Sequence, residues 1–193
     1  MRGNLTVYKQ SDYMLSLLDG RVFTGVTDPR LTRLMCASPD GVYRGVIATY
    51  GDPNATTGNP ARIPLVNGLL IASATNPGRY IFADKAPFPV MTYAELQFIK
   101  AEAAFIKGDK PTALQAYTNG INASFDFINT YIAASYPQGI VGTAISAGDR
   151  AAYLSNPDIL PTDPDLLTLS MIMQQKYIAL WGYGFNETWV DMR

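Results

Sequence analysis

Apolar and polar residues along the chain follow two regimes, which meet near residue 91. From there on the pattern has a helical period. Thr92 and Glu95 stand three apart ahead of an apolar run. That is the capping box, in which the threonine hydroxyl accepts from the N3 amide and the glutamate carboxylate takes the N-cap amide. Met91 and Leu96 occupy the matching positions of a hydrophobic staple. The helix is predicted from Tyr93 to about Lys107, with Gly108 as its stop. Asp109 caps a second helix, with Pro111 in the first turn where a missing amide costs nothing. Leu114, Tyr117, Ile121, Phe125 and Ile128 form a large row on that helix, and Ala113, Ala116, Gly120 and Ala123 a small one. Small residues in a row let a neighbouring helix come close, so residues 91–132 read as a helical hairpin.

Residues 133–161 carry Pro137, Gly139, Gly142, Gly148, Pro157 and Pro161, and read as loops. Asp163-Pro164-Asp165 then opens a third long helix, with an acid at the N-cap and proline at N1. Its expected buried row is Leu166, Leu169, Met173, Tyr177 and Leu180. Gly182 and Gly184 end it, and Asn186 caps a last segment. Before residue 91 the elements are short. Tyr13–Leu18 is a helix terminated by Asp19-Gly20, and Arg30–Ala37 is another. Between Pro39 and Arg79 stand eleven prolines and glycines, which forbid long helices and leave brief strands over Tyr43–Tyr50 and Leu69–Ala72. The expected fold is mainly α, with helical hairpins, long irregular loops and few short strands.

Composition narrows the chemistry. A chain of 193 residues with 48% hydrophobic and 16% charged residues is long and apolar enough for one domain and unlike a disordered segment. Fifteen basic against sixteen acidic side chains leave a net charge of -1, without the basic excess of a nucleic-acid binder. The absence of histidine excludes His-dependent triads and His-ligated metals. A single cysteine, Cys36, excludes an intrachain disulfide and a CxxC site, and it reads as a small buried hydrophobe. No apolar run reaches the ~18 residues a spanning helix needs, and Met1–Lys9 has no signal-peptide core. The chain stops at Arg193, just after Glu187–Met192, which reads as an opening helix; the expectation is the C-terminal part of a larger protein.

The hairpin places Ala101, Ala104, Gly108, Ala113, Tyr117 and Gly120 where a tetratricopeptide repeat puts its small and aromatic packing residues. The wording is more specific. MTYAELQFIKAEAAFIKGDKPTALQAYTNGINAS (Met91–Ser124) and QQKYIALWGYGFNETWVDMR (Gln174–Arg193), with Asp28-Pro29-Arg30-Leu31 and Gly41-Val42-Tyr43-Arg44-Gly45 upstream, resemble the SusD-like (SusD/RagB) family. The resemblance covers nearly the whole chain. It implies an α-α superhelix in which tetratricopeptide-type hairpins form a scaffold and irregular loops build the ligand site. It divides residues 1–193, one SusD-like region, into a ligand-side segment (1–90), the hairpin (91–132), loops (133–161) and C-terminal helices (162–193). Family members are surface lipoproteins of the Bacteroidetes outer membrane that capture glycan or peptide for a SusC-like TonB-dependent transporter. The implied location is the extracellular face of the outer membrane. Membrane contact would run only through a lipid anchor that this chain lacks.

Glycan recognition needs flat aromatic faces ringed by polar groups. The loop residues that supply these are Tyr43, Tyr50, Arg79, Tyr80 and Tyr136, with Arg44, Asp52, Asn54 and Asn76 as polar neighbours. The competing reading has each tyrosine covering the scaffold with its ring. Trp181 and Trp189 sit at apolar helical spacing and read as packing residues. Glu95 and Glu102 lie on one helix face about 10 Å apart along the axis and do not make a glycosidase pair. Asn156, Asp158, Asp163 and Asp165 lack the spacing of a calcium loop. No catalytic residue, metal or cofactor is expected. The main rival is a helical-repeat adaptor for a protein or peptide, and the enzyme rival is a carboxylate-only glycosidase.

Overall fold

Tyr117 and Phe98, both fully buried, mark where the two longest helices cross. The computed structural model describes residues 7–69, 80–83, 86–133 and 143–191, apart from the side chains of residues 133, 185 and 189. In chain order its helices are α1 (Asp12–Leu18), α2 (Leu31–Leu34), α3 (Tyr93–Lys107), α4 (Lys110–Ala133), α5 (Ala147–Leu154), α6 (Leu169–Ala179) and α7 (Phe185–Asp191). Single 3-10 turns lie at Tyr80–Phe82 and Pro164–Leu166. The chain is mainly α-helical, as its sequence pattern predicts.

The hairpin follows its local signals closely. The Thr92 side chain accepts from the Glu95 amide at 3.2 Å, and the Glu95 carboxylate takes the Thr92 amide at 3.5 Å. Gly108, at φ 85°, supplies the left-handed residue that ends α3. The Asp109 side chain then accepts from the Thr112 amide at 3.2 Å and starts α4. The small row does what its spacing implies: a Cβ on Gly120 would lie 2.9 Å from the Phe98 ring. Only glycine lets the helices approach so closely. Of the large row, Tyr117, Ile121, Phe125 and Ile128 are buried and Leu114 is half-buried.

Several expectations are corrected, the first being the helix over Arg30–Ala37, which ends at Leu34 because Met35 is extended. The third long helix begins at Leu169 rather than at Asp163. Asp163 caps only a 3-10 turn, Leu167 is extended, and Thr168 restarts the helix by accepting from the Met171 amide. Leu166 and Leu169 are therefore exposed, and the buried face of α6 is Ile172, Gln175, Lys176, Ile178 and Ala179. Within 133–161, α5 forms because Ser146 and Asp149 make a capping box with aspartate in the glutamate's place. The stretch Tyr43–Tyr50 holds only isolated bridges, Ala37 with Tyr43, Ser11 with Val46 and Ile47 with Gly51. The predicted strand Leu69–Ala72 lies mostly outside the described residues.

The loop-rich segment is fastened by polar side chains instead of by ladders. Gln10, fully buried, donates to the Cys36 carbonyl at 2.9 Å and accepts from the Cys36 amide at 2.5 Å. Cys36 itself is half-buried, and its thiol lies 3.3 Å from the Gly68 carbonyl, so it is a hydrogen-bonded linker rather than a buried hydrophobe. Gly45 lets two backbones touch, since a Cβ there would meet the Asp12 amide at 2.2 Å. Arg30, also fully buried, joins four segments. Its guanidinium donates to Asp28 (2.6 Å), Gln175 (2.6 Å) and Ser124 (3.1 Å), and lies 5.1 Å from the Phe125 ring centroid. The Gln175 amide in turn donates to the Tyr153 hydroxyl at 2.9 Å.

Candidate functional site

Downstream of the loop-rich segment, an extended strap lies beside the second half of α4. Pro87 and Pro89 fix its backbone torsions and keep it out of a helix. The Tyr131 hydroxyl ties it down by donating to the Pro87 carbonyl at 2.5 Å. On α4, Ala123, Asp126, Phe127, Thr130 and Tyr131 repeat at helical spacing and share one face. Strap and face, closed by Met91, Thr92 and Tyr93 at the start of α3, bound a cavity of about 500 Å³. That volume is within the usual range for a small-molecule site.

Aromatic rings build the wall in two layers. Phe127 and Tyr131 meet edge to face at 5.2 Å, and both line the cavity. Tyr80 packs behind them, 6.1 Å from Phe127 and 5.0 Å from Tyr131, and Tyr183 stands 5.6 Å from Phe127. Burial pushes the Tyr80 hydroxyl well above its ordinary pKa, and the neighbouring Tyr183 and Tyr131 add to the shift. Burial likewise carries Tyr183 up to about 12, with its hydrogen bond to Thr92 acting the other way. Tyr80 and Tyr183 therefore stay neutral throughout the physiological range. At the rim, Tyr93 is 62% exposed and offers an open ring.

The polar groups are few and fixed. The Asp126 carboxylate, 69% exposed, pairs with Arg150 at 2.7 Å. Arg150 is carried by α5, which is held to α4 by two bonds between Asn129 and the Ile145 backbone. The Thr130 hydroxyl donates to the Asp126 carbonyl. Asp126 is the single carboxylate among the described lining residues, where a glycosidase needs two facing each other. Glu95, nearby in sequence, is 9% exposed and engaged in its capping box. The arrangement can hold a ligand by ring stacking and hydrogen bonding.

The residues expected to bind do not assemble into one site. Arg79 and Tyr136 lie outside the described residues, as does the polar neighbour Asn76. Tyr80 is 3% exposed and at φ 58°, so its ring supports the cavity wall from behind and has no free face to offer. Tyr43 is half-buried against the core. Tyr50 is 84% exposed at a loop tip, between Thr49 and Gly51, both at positive φ. Their polar neighbours are already committed: Arg44 to Asp40 at 2.7 Å, and Asp52 to Lys9 at 2.6 Å. Trp181 packs half-buried against the core, and the Trp189 side chain lies outside the described residues. Asn156, Asp158 and Asp163 turn their oxygens to Thr24 and to local backbone amides.

Sequence reasoning missed Tyr93, Asp126, Phe127 and Tyr131. The available signal was the continuation of the α4 pattern past Ile128, facing a segment with two closely spaced prolines.

Compared with known proteins, the chain gives one match. A family model described as starch-binding and associating with the outer membrane matches residues 4–193. No curated protein and no solved structure matches significantly. Among the described residues, no helix is long and apolar enough to cross a membrane.

Proposed function

This chain belongs to the SusD-like family, and on that footing we propose that it captures glycan noncovalently at the bacterial cell surface for a SusC-like TonB-dependent transporter. The site is the cavity between the strap of residues 87–92, the start of α3 and α4. A sugar ring lays its C–H face on Tyr93, its edge meets Phe127, and its hydroxyls hydrogen-bond to Asp126 and Thr130. Arg150 holds the Asp126 carboxylate in place. Residues 1–193 act as one SusD-like region, on the extracellular face of the outer membrane, and no bond in the glycan is made or broken.

The observation that carries this reading is an open aromatic ring and a single oriented carboxylate facing one cavity of about 500 Å³. Calorimetry with maltoheptaose tests it on the wild type, Tyr93→Ala and Asp126→Ala. Loss of the Tyr93 ring should weaken binding roughly fivefold, on an aromatic contact of about 1 kcal/mol. Loss of the Asp126 carboxylate should weaken it by a similar factor, and chromatography should find the oligosaccharide unchanged. Unaltered affinity in both variants overturns the site. Failure of the wild type to bind any of a glycan panel, with capture of a peptide instead, moves the function to the adaptor reading.

A further inference from the structure

The strap reaches the cavity with every second residue. Pro87, Pro89 and Met91 line it, whereas Phe88 and Val90, 57% and 98% exposed, turn away. That alternation is the period of an extended chain, so a small shift of the strap moves three lining side chains at once. Yet the strap cannot be fixed as a regular strand is, because Pro87 and Pro89 have no amide hydrogen to give to a ladder. Its downstream end is secured at Thr92, which is buried, joined to Glu95 by the capping box and accepts from the Tyr183 hydroxyl at 3.3 Å. Its upstream end depends on a side chain.

That side chain is Tyr131, whose hydroxyl donates to the Pro87 carbonyl at 2.5 Å. Its ring is buried and wedged in place, with Phe127 at 5.2 Å and Tyr80 at 5.0 Å. The helix beneath the ring is held as well. Asn129, two residues earlier, makes two bonds to the Ile145 backbone, at 3.0 and 2.8 Å. The position of the strap is thus copied from α4 through one rigid ring and one hydrogen bond. Tyr131 also lines the cavity, so latch and wall are the same residue.

We propose that Tyr131 is a positioning residue for the glycan, its hydroxyl holding the strap at the width the bound sugar needs. This rests on the cavity being the glycan site. A wall already in place need not be ordered by the ligand, whereas a loose one must be immobilised as the sugar enters, and affinity falls. Tyr117 offers a matched contrast on the same helix. It too is buried, and its hydroxyl donates to a backbone carbonyl, that of Ile159, at 2.7 Å. The two bonds are of one kind, but Tyr117 and Ile159 do not line the cavity.

Tyr131→Phe and Tyr117→Phe in the full chain test this, with urea unfolding to compare their stabilities. A nitroxide on Val90→Cys, in a Cys36→Ser background, reports the motion of the strap from its outer side. Both variants should lose a similar amount of stability, since each gives up one buried hydrogen bond. Only Tyr131→Phe should free the nitroxide, and only it should weaken maltoheptaose binding, roughly fivefold in calorimetry. Adding the sugar should immobilise the label again in Tyr131→Phe and leave it unchanged in the wild type and in Tyr117→Phe. Equal affinity and equal label mobility in the two variants would make Tyr131 a purely structural residue and overturn the proposal. A loss of affinity with a label that does not move would overturn it as well. Weakened binding in Tyr93→Ala beside wild-type affinity in Tyr131→Phe overturns this inference and leaves the site standing. Unaltered binding in both Tyr93→Ala and Asp126→Ala overturns the site, and the inference with it.

Discussion

Phe98, in the hairpin, and Arg30, in the loop-rich segment, are equally shielded from water, yet they hold their regions in opposite ways. Phe98 fills the gap that Gly120 leaves on the facing helix, and its neighbours come from one local pattern of small and large positions. Arg30 is surrounded by Asp28, Ser124, Tyr153 and Gln175, which reach it from four separate segments. The hairpin is ordered by apolar area and tolerates graded change. The other region is ordered by a buried cation whose partners must all be present. Burial by itself therefore does not say how a region will respond to mutation.

The sharpest way to break the comparison is Arg30→Met. It leaves the Asp28 carboxylate, 1% exposed, without its cation, and the expected loss is about 3–5 kcal/mol in urea unfolding. Adding Asp28→Leu should recover much of it, since an apolar pair of similar volume often replaces a buried ion pair at little cost. If the single and double variants lose the same amount, the ion pair is not what secures the segment. Gly120→Ala comes next. Its methyl group would overlap the Phe98 ring, and the cost should be about 1–3 kcal/mol by the same measurement. A neutral result would mean that the helices part easily.

Thr92→Ala removes one half of the capping box, and should cost about 1 kcal/mol, confined to the start of α3 in hydrogen exchange. The smallest effect is expected at Asp52. Burial raises its carboxyl, but the hydrogen bond and charge of Lys9, with the Asn54 amide, hold it below the usual range. A carboxyl depressed in the folded state adds stability above its unfolded pKa, and that contribution fades as pH falls through the folded value. Lys9→Met should therefore move the Asp52 titration upward in carbon-detected NMR and shift acid unfolding to higher pH. A titration that stays put would show that Lys9 does not set it.

The same contrast explains what could be read before any coordinates. Thr92, Glu95, Gly108 and the two rows of α4 act on residues at most a few positions away, so their meaning is legible in one dimension. Asp149 in place of glutamate was enough to hide the capping box of α5, and the early acid-proline signal at 163–165 masked the true start at Thr168. The cavity lay further from view. Tyr80 reads in sequence as an open platform, but its packing depends on Phe127, Tyr131 and Tyr183, which are 47 to 103 residues away. Asp28-Pro29-Arg30-Leu31 stood out as a motif, while the role of its arginine depends on Gln175, 145 positions later.

That interval has a temporal meaning. A ribosome adds about 5–20 residues each second, so Arg30 and Gln175 are made roughly 7–30 s apart. During that time Arg30 can pair with Asp28 but cannot be enclosed, and the amino-terminal segment has no dry place to put its charge. The loops should stay solvated and open to proteases until α6 is available to pack on them, and then close together in one step. The buried guanidinium thus ties the closing of the loops around Arg30 to a helix made 145 residues after it.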